Sequence, residues 1–220
     1  MKKFIAASAA AILALSGAVA SASQSSAASS TFTLGVIGPI TSYEASMGET
    51  ANKGPFYQLV YDTLVMITPT GKIEPWLATK WTWDKTKTKL TLDLRKGVKF
   101  TDGTEFTSDA VVKNMIAFRD GNSPGKSMGS SVKDVKANGK YQAIVTLTAA
   151  DPAFEIYLGR SLGYMESPKQ IGAANAKTVP VGTGMYVLDT AKTVVDSTYY
   201  YTANPNYWNP SARKFDSLVI

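Results

Sequence analysis

The 220-residue chain contains no cysteine and no histidine. Without thiols there is no disulfide framework, and without thiolate or imidazole there is no Cys/His zinc site. A nucleophile–His pair is excluded for the same reason. Charge is sparse: 18% of residues are Asp, Glu, Lys or Arg, against 45% apolar. That balance belongs to a chain that buries a core, not to a disordered one. The net charge of +6 is spread thinly, with Lys85, Lys87 and Lys89 alternating along one segment and Lys133, Lys136 and Lys140 scattered. No dense basic run carries interleaved aromatics, so nucleic acid is not an expected partner. The oxygen-ligand spacing of a calcium loop is missing too, and no metal or cofactor is predicted.

What is present begins with an export signal. Met1-Lys2-Lys3 is a positive start, Phe4 to Leu15 is an Ala/Ile/Leu run broken only by Ser8, and Ala18-Val19-Ala20 is a small-x-small cleavage site. Residues 1–20 are therefore expected to be a signal peptide, too short in its apolar part to span a bilayer. Leu15-Ser16-Gly17 resembles the opening of a lipoprotein cleavage box, which needs Cys next, and this chain has Ala18. The expectation is a periplasmic or extracellular protein that is not lipid-anchored; ordinary leader composition explains Leu-Ser-Gly equally well. Residues 21–30 are Ser and Ala apart from Gln24 and read as a linker.

Thr31 to Ile37 alternates polar and apolar residues and predicts a strand. Tyr57, Val60, Tyr61, Leu64 and Val65 fall at helical spacing and predict an amphipathic helix over 57–66, ending at the turn Thr68-Pro69-Thr70-Gly71. Trp81–Trp83 and Leu90–Leu94 read as antiparallel strands. Asp102-Gly103 reads as a tight turn. Thr107-Ser108-Asp109 is expected to cap a helix over 110–118 through its side chains. Val132–Val135 and Tyr141–Leu147 form a hairpin through Asn138-Gly139, and a short helix runs from Asp151-Pro152 to Leu158. Strands are predicted over 184–188, 193–201 and 217–220. Alone, this mixture supports only an α/β or α+β fold.

Three segments carry more. Pro75-Trp76-Leu77-Ala78 leads into the Trp strand, then into Leu94-Arg95-Lys96-Gly97-Val98-Lys99-Phe100-Thr101-Asp102-Gly103 and a helix opened by Ser108-Asp109. Gly182-Thr183-Gly184-Met185-Tyr186 and Asn204-Pro205-Asn206-Tyr207-Trp208 follow in order. Together they resemble the family 5 extracellular solute-binding proteins, the oligopeptide- and dipeptide-binding receptors of bacterial ABC importers. The resemblance implies an α/β, type II periplasmic-binding-protein-like fold of two lobes around a cleft. It places a first-lobe core in 31–45, an inserted subdomain in 46–178 and a return to the core in 179–220. The second lobe is missing on this map, so an incomplete fragment is expected. The implied function is capture of a peptide or other small solute and delivery to ABC permease subunits by a monomer, with no chemistry of its own.

By the same resemblance the ligand meets Tyr43 and Glu44, on the loop after the first strand, and the loop Gly182, Thr183, Gly184 and Met185. Tyr43 is expected to stack and Glu44 to meet a cation. The two glycines leave backbone open to a ligand, or serve only the turn; Met185 replaces the Pro common in the family. Trp81 and Trp83, two apart on a strand, read as core-facing. Trp208 is expected to pack a loop beneath the core sheet. Asp62, Asp109 and Asp120 read as helix-end residues. A different class remains open, a secreted glycosidase using Asp93, Asp102 and Glu105 as paired carboxylates, although no motif unites them. A non-transport signal or decoy role is a third possibility.

Overall fold

The computed structural model describes residues 30–220. The export segment 1–20 and residues 21–29 of the linker lie outside the described residues. Strand β1 (Thr31–Thr33) is followed by helix α1 (Gly54–Val60) and the hairpin of β2 (Val65–Ile67) and β3 (Ile73–Pro75). Then come β4 (Ala78–Trp83), β5 (Lys89–Leu94), helix α2 (Ser108–Asp120), β6 (Val132–Ala137) and β7 (Gln142–Leu147). A short helix α3 (Phe154–Tyr157) precedes β8 (Tyr186–Leu188), β9 (Tyr200–Ala203) and β10 (Ser217–Val219).

Period-two patterning builds the larger core. Leu90, Leu92 and Leu94 on β5 and Ala143, Val145 and Leu147 on β7 point to one face of the antiparallel sheet β4-β5-β7-β6. Helix α2 covers that face with Ala110, Val111, Met115 and Phe118. Trp81 and Trp83 are partly buried against the same core, as their two-residue spacing predicts. Asn114 lies buried on α2, where its amide donates to the carbonyls of Ala110 and Glu166 and its oxygen accepts from the Glu166 amide. A side chain thus satisfies both backbone groups of Glu166, beside the isolated bridge that this residue makes with Gly182.

The second sheet, β1-β10-β9-β8, draws strands from both ends of the described chain. β1 pairs parallel with β10, and β10–β9 and β9–β8 are antiparallel. Its core is built of tyrosines: Tyr43, Tyr57, Tyr61, Tyr164, Tyr186, Tyr199 and Tyr201 pack with Phe56 and Val60 of α1. Buried phenols need partners. Tyr57 donates to the Ser42 carbonyl at 2.6 Å, Tyr61 to the Tyr43 carbonyl at 2.8 Å, and the Tyr43 and Tyr201 hydroxyls meet at 2.5 Å. The chain therefore nests one sheet, residues 78–147, inside another.

Several expectations change. Helix α1 ends at Val60, not Met66; Tyr61 to Leu64 is extended and β2 follows. The apolar positions of 57–66 are inward-facing, but Leu64 and Val65 are buried by strand-type bonds, Leu64 amide to Gly163 carbonyl and Ala78 amide to Leu64 carbonyl. Tertiary partners have overridden the local period. Thr107 occupies the cap position of α2 without a side-chain cap bond, and the Ser108 hydroxyl donates to the Gly139 carbonyl across the sheet. The first strand stops at Thr33, and 193–199 is a tight bend, with Val194 paired to Thr198, before β9 begins. The turns at Gly71, Gly103 and Gly139 form as predicted, each glycine at positive φ.

The two sheets are joined where the loop 182–184 lies on the end of α1. A Cβ at Gly182 would sit 2.0 Å from the Val60 carbonyl oxygen, and one at Gly184 would sit 2.5 Å from the Val60 carbonyl carbon. The Gly184 amide bonds that same Val60 oxygen at 3.0 Å. These glycines permit backbone-to-backbone contact; neither has positive φ. Gly184→Ala is expected to lower stability by at least about 2 kcal/mol through overpacking. Gly35→Ala, where nothing lies within 4 Å, is expected to be neutral or slightly stabilising. Urea unfolding of the two variants checks the contrast.

Candidate functional site

Asp62 follows Tyr61 at the point where α1 has ended and the chain runs extended between the two cores. Its carboxylate is buried and receives four donors. Trp76 Nε1 at 2.7 Å and the Tyr207 hydroxyl at 3.0 Å bond Oδ1. Trp208 Nε1 and the Thr183 hydroxyl, both at 2.9 Å, bond Oδ2. Burial pushes the Asp62 carboxyl above the usual range, and the four donors oppose that shift. The indoles of Trp76 and Trp208 meet edge to face at 4.8 Å, with the Arg95 guanidinium 4.3 Å over the Trp208 ring. Arg95 also donates from Nε to the Trp76 carbonyl.

Beside this cluster opens a cleft of about 350 Å³. Gln58, Met66, Trp76, Gly159, Arg160 and Met185 are among its walls, and Asp62 lies at its floor. Arg160 forms no salt bridge among the described residues. Neutral donors fill the acceptor positions of the floor carboxylate, and Arg160 is the cationic side chain in the cleft wall.

The sequence-predicted site residues are divided by the fold. Met185 lines this cleft. Thr183 is fully buried beneath it on Asp62, and Gly182 and Gly184 face the α1 backbone, so their backbone is covered, not open. Tyr43 is 2% exposed and held by Tyr201 and Tyr61, which leaves no free ring face for stacking. It touches a different cleft, of about 320 Å³, with Thr41, Lys177 and Leu188. Glu44 is half-buried and accepts from the Ser42 hydroxyl at 2.9 Å. Asp62 does follow the end of α1, as expected, and its carboxylate is in addition a buried hub. A carboxylate set between Tyr61 and Leu64 in an apolar run was the available signal.

Of the three carboxylates considered for glycoside chemistry, Asp102 and Glu105 are held low. Asp93 accepts from Gln142. Burial pulls Asp102 upward, but hydrogen bonds from Ser167 and Thr104 outweigh it and hold the carboxyl low. Lys140 and Tyr141 hold Glu105 low. Neither Asp102 nor Glu105 is thus an acid kept protonated for catalysis. Besides Asp62, a second acid is raised. Glu166 is 2% exposed; Oε2 accepts from the Ala45 amide at 3.3 Å, and Oε1 has no partner among the described residues. Burial pushes it up to about 8, the Ala45 bond opposes this, and the charge of Glu44 adds to it. No three His, Cys, Asp or Glu among the described residues could hold a metal ion. No helix among them is long and apolar enough to cross a membrane.

Comparison with known proteins bears on the family and the fold. Residues 72–220 match the family described as bacterial extracellular solute-binding proteins, family 5 middle. The nickel-binding periplasmic protein of Escherichia coli K12 is 30% identical over 171 residues, which cover 74% of this chain and 32% of that protein. Haem-binding protein A of Haemophilus influenzae is 30% identical over 207 residues, covering 82% and 36%. The crystal structure of Haemophilus influenzae OppA complexed with RPPGFSPFR superposes with a TM-score of 0.77 at 20% identity, covering 88% of this chain and 42% of that one. The chain thus spans about a third of the length of the curated relatives it matches.

Two stability tests follow from the buried acids. Asp62→Ala strands two indole N–H groups and two hydroxyls, and is expected to cost about 3 kcal/mol or more in urea unfolding; Asp62→Asn, which keeps one acceptor, should cost less. Glu166 has a folded pKa above its unfolded value near 4.5. Its stabilising effect is fully present below 4.5 and is lost as pH rises to about 8, because the unfolded chain releases the proton first. Glu166→Gln is expected to flatten that decline and to be more stable than the parent above pH 8, by a few kcal/mol at most. Melting curves across the pH range read it out.

Proposed function

The chain belongs to the family 5 bacterial extracellular solute-binding proteins, and from that premise we propose that it captures peptides outside the membrane for delivery to an ABC permease. The family is one of binding proteins, not enzymes. On the proposed layout, 31–45 and 179–220 form the core of a first lobe and 46–178 an inserted subdomain, working as a monomer.

The observation that carries the peptide reading is the cleft beside Asp62. Arg160, with no internal carboxylate partner, suits a planar two-oxygen group such as a peptide C-terminus. Met66 and Met185 offer adaptable apolar surface, and Trp76 a flat one, as tolerance of varied side chains requires. Nickel and haem, named for two relatives, favour imidazole or thiolate ligands, and this chain has neither His nor Cys. Of the six residues singled out in the sequence, Met185 and Glu44 are proposed to contact the ligand, Glu44 through a peptide amino group. Tyr43, Gly182, Thr183 and Gly184 are proposed to hold those two in place.

Family 5 proteins close their cleft between two lobes, and residues 30–220 form one wall. Peptide binding by this chain is therefore expected to be weaker than micromolar. In an NMR titration, short peptides with free C-termini should shift the amides of Met66, Gly159, Arg160 and Met185. Arg160→Ala should weaken that response about tenfold, and C-terminal amidation of the peptide should mimic the variant. A nickel chelate or haem moving these amides while peptides do not would overturn the reading.

A further inference from the structure

Helix α2 lies on one face of the sheet β4-β5-β7-β6, and no other helix or sheet among the described residues packs broadly on the outer face. Its registered rows run Lys80–Asp93–Gln142, Thr82–Thr91–Ile144–Lys136 and Lys89–Thr146–Asp134. Short threonines through the middle make a flat surface with lysines at its margins. The β4–β5 turn adds exposed Lys85 and Lys87, and the bulge after Val132 adds exposed Lys133. Lys87 stands at φ +56, a conformation more usual for Gly or Asn.

The charges are segregated. Residues 72–147 hold fourteen Lys and Arg against eight Asp and Glu, while the remaining described residues hold seven against nine. On the sheet face every carboxylate is already engaged. Asp84 accepts from Thr86, Thr88 and Lys89 of its own turn, Asp93 from Gln142, and Asp134 pairs with Lys136. Lys80, Lys85, Lys87, Lys89 and Lys133 form no salt bridge among the described residues. Six lysines (Lys80, Lys85, Lys87, Lys89, Lys133 and Lys136) against three carboxylates (Asp84, Asp93 and Asp134) leave the face with a net charge of +3.

We infer that this face docks the protein on an anionic phospholipid surface. A plane of threonines fringed by unpaired lysines complements a plane of negative headgroups, and lacks the aromatic interleaving that marks nucleic-acid binding. Lysines near such a surface each contribute about fivefold in partition, and salt screens the effect. The cleft beside Asp62 lies outside this sheet face, so docking and solute capture use different surfaces.

Co-sedimentation of the full chain with mixed phosphatidylglycerol–phosphatidylcholine vesicles tests this against phosphatidylcholine alone, at low and high salt. Binding is expected only with phosphatidylglycerol and only at low salt. Replacing Lys80, Lys85, Lys87 and Lys89 together by Gln should reduce it at least about tenfold. The same four as Arg should keep it, which separates charge from folding defects. Replacing Lys169, Lys177, Lys192 and Lys214 by Gln removes equal charge elsewhere and should change little. Equal loss in both Gln variants, absence of phosphatidylglycerol-dependent binding, or retention of a soluble polyanion such as polyphosphate but not vesicles would overturn the docking proposal.

Discussion

The junction of this molecule rests on one buried carboxylate. An ionised Asp away from water must be surrounded by donors or it loses its charge. At Asp62 those donors come from distant points of the chain: Trp76 before β4, Thr183 before β8, and Tyr207 and Trp208 after β9. None is a cation. Satisfying Asp62 therefore ties three separate segments to the end of α1, and each bond is worth keeping because its loss strands a partner in a dry site. Arg95 contributes from outside, stacked over Trp208 and bonded to the Trp76 carbonyl.

The same constraint accounts for the two glycines. Thr183 reaches Asp62 only if the loop carrying it lies directly on α1, and Gly182 and Gly184 remove the Cβ atoms that would strike Val60. Contact at this point also stops the helix, since the Val60 carbonyl is bonded by the Gly184 amide. The chain then leaves α1 extended, enters the hairpin of β2 and β3, and opens the cleft between them and the segment 159–160. Helix end, close-packed loop and cleft are consequences of one arrangement.

Much of the fold was legible because local rules and tertiary packing agreed. The alternation Leu90-Thr91-Leu92-Asp93-Leu94, the Asn138-Gly139 hairpin and the Asp102-Gly103 turn each depend on near neighbours, and each formed as read. Segment 57–66 failed because its apolar spacing suits a helix while its partners, Gly163 and Ala78, lie far along the chain. The Ser108 hydroxyl was diverted from a cap to the Gly139 carbonyl by a hairpin thirty residues away. Site residues were less legible for the same reason. Glycine pairs look alike in sequence whether they admit a ligand or a helix, and Asp62 resembles any helix-end acid until Trp76, Thr183, Tyr207 and Trp208 converge on it. The family motifs were legible, yet they mark this scaffold more than its pocket: Trp76, Thr183, Tyr207 and Trp208 all belong to them and all serve Asp62.

That convergence sets the electrostatics of the cleft. A bare carboxylate at its floor would attract cations and oppose an anionic group at the rim. At Asp62 burial weakens the tendency to ionise, while the four neutral donors oppose that shift and occupy the acceptor positions. Arg160 then stands at the wall without internal competition, and an attraction at short range in a partly desolvated cleft is stronger than the same pair in water. The proposed site would discriminate by charge and planarity at one end, through a guanidinium, and tolerate variety along Met66, Trp76 and Met185. The proposed peptide reading rests on that pairing of one unbridged guanidinium with an adaptable apolar wall, set over a carboxylate whose acceptor positions are already filled.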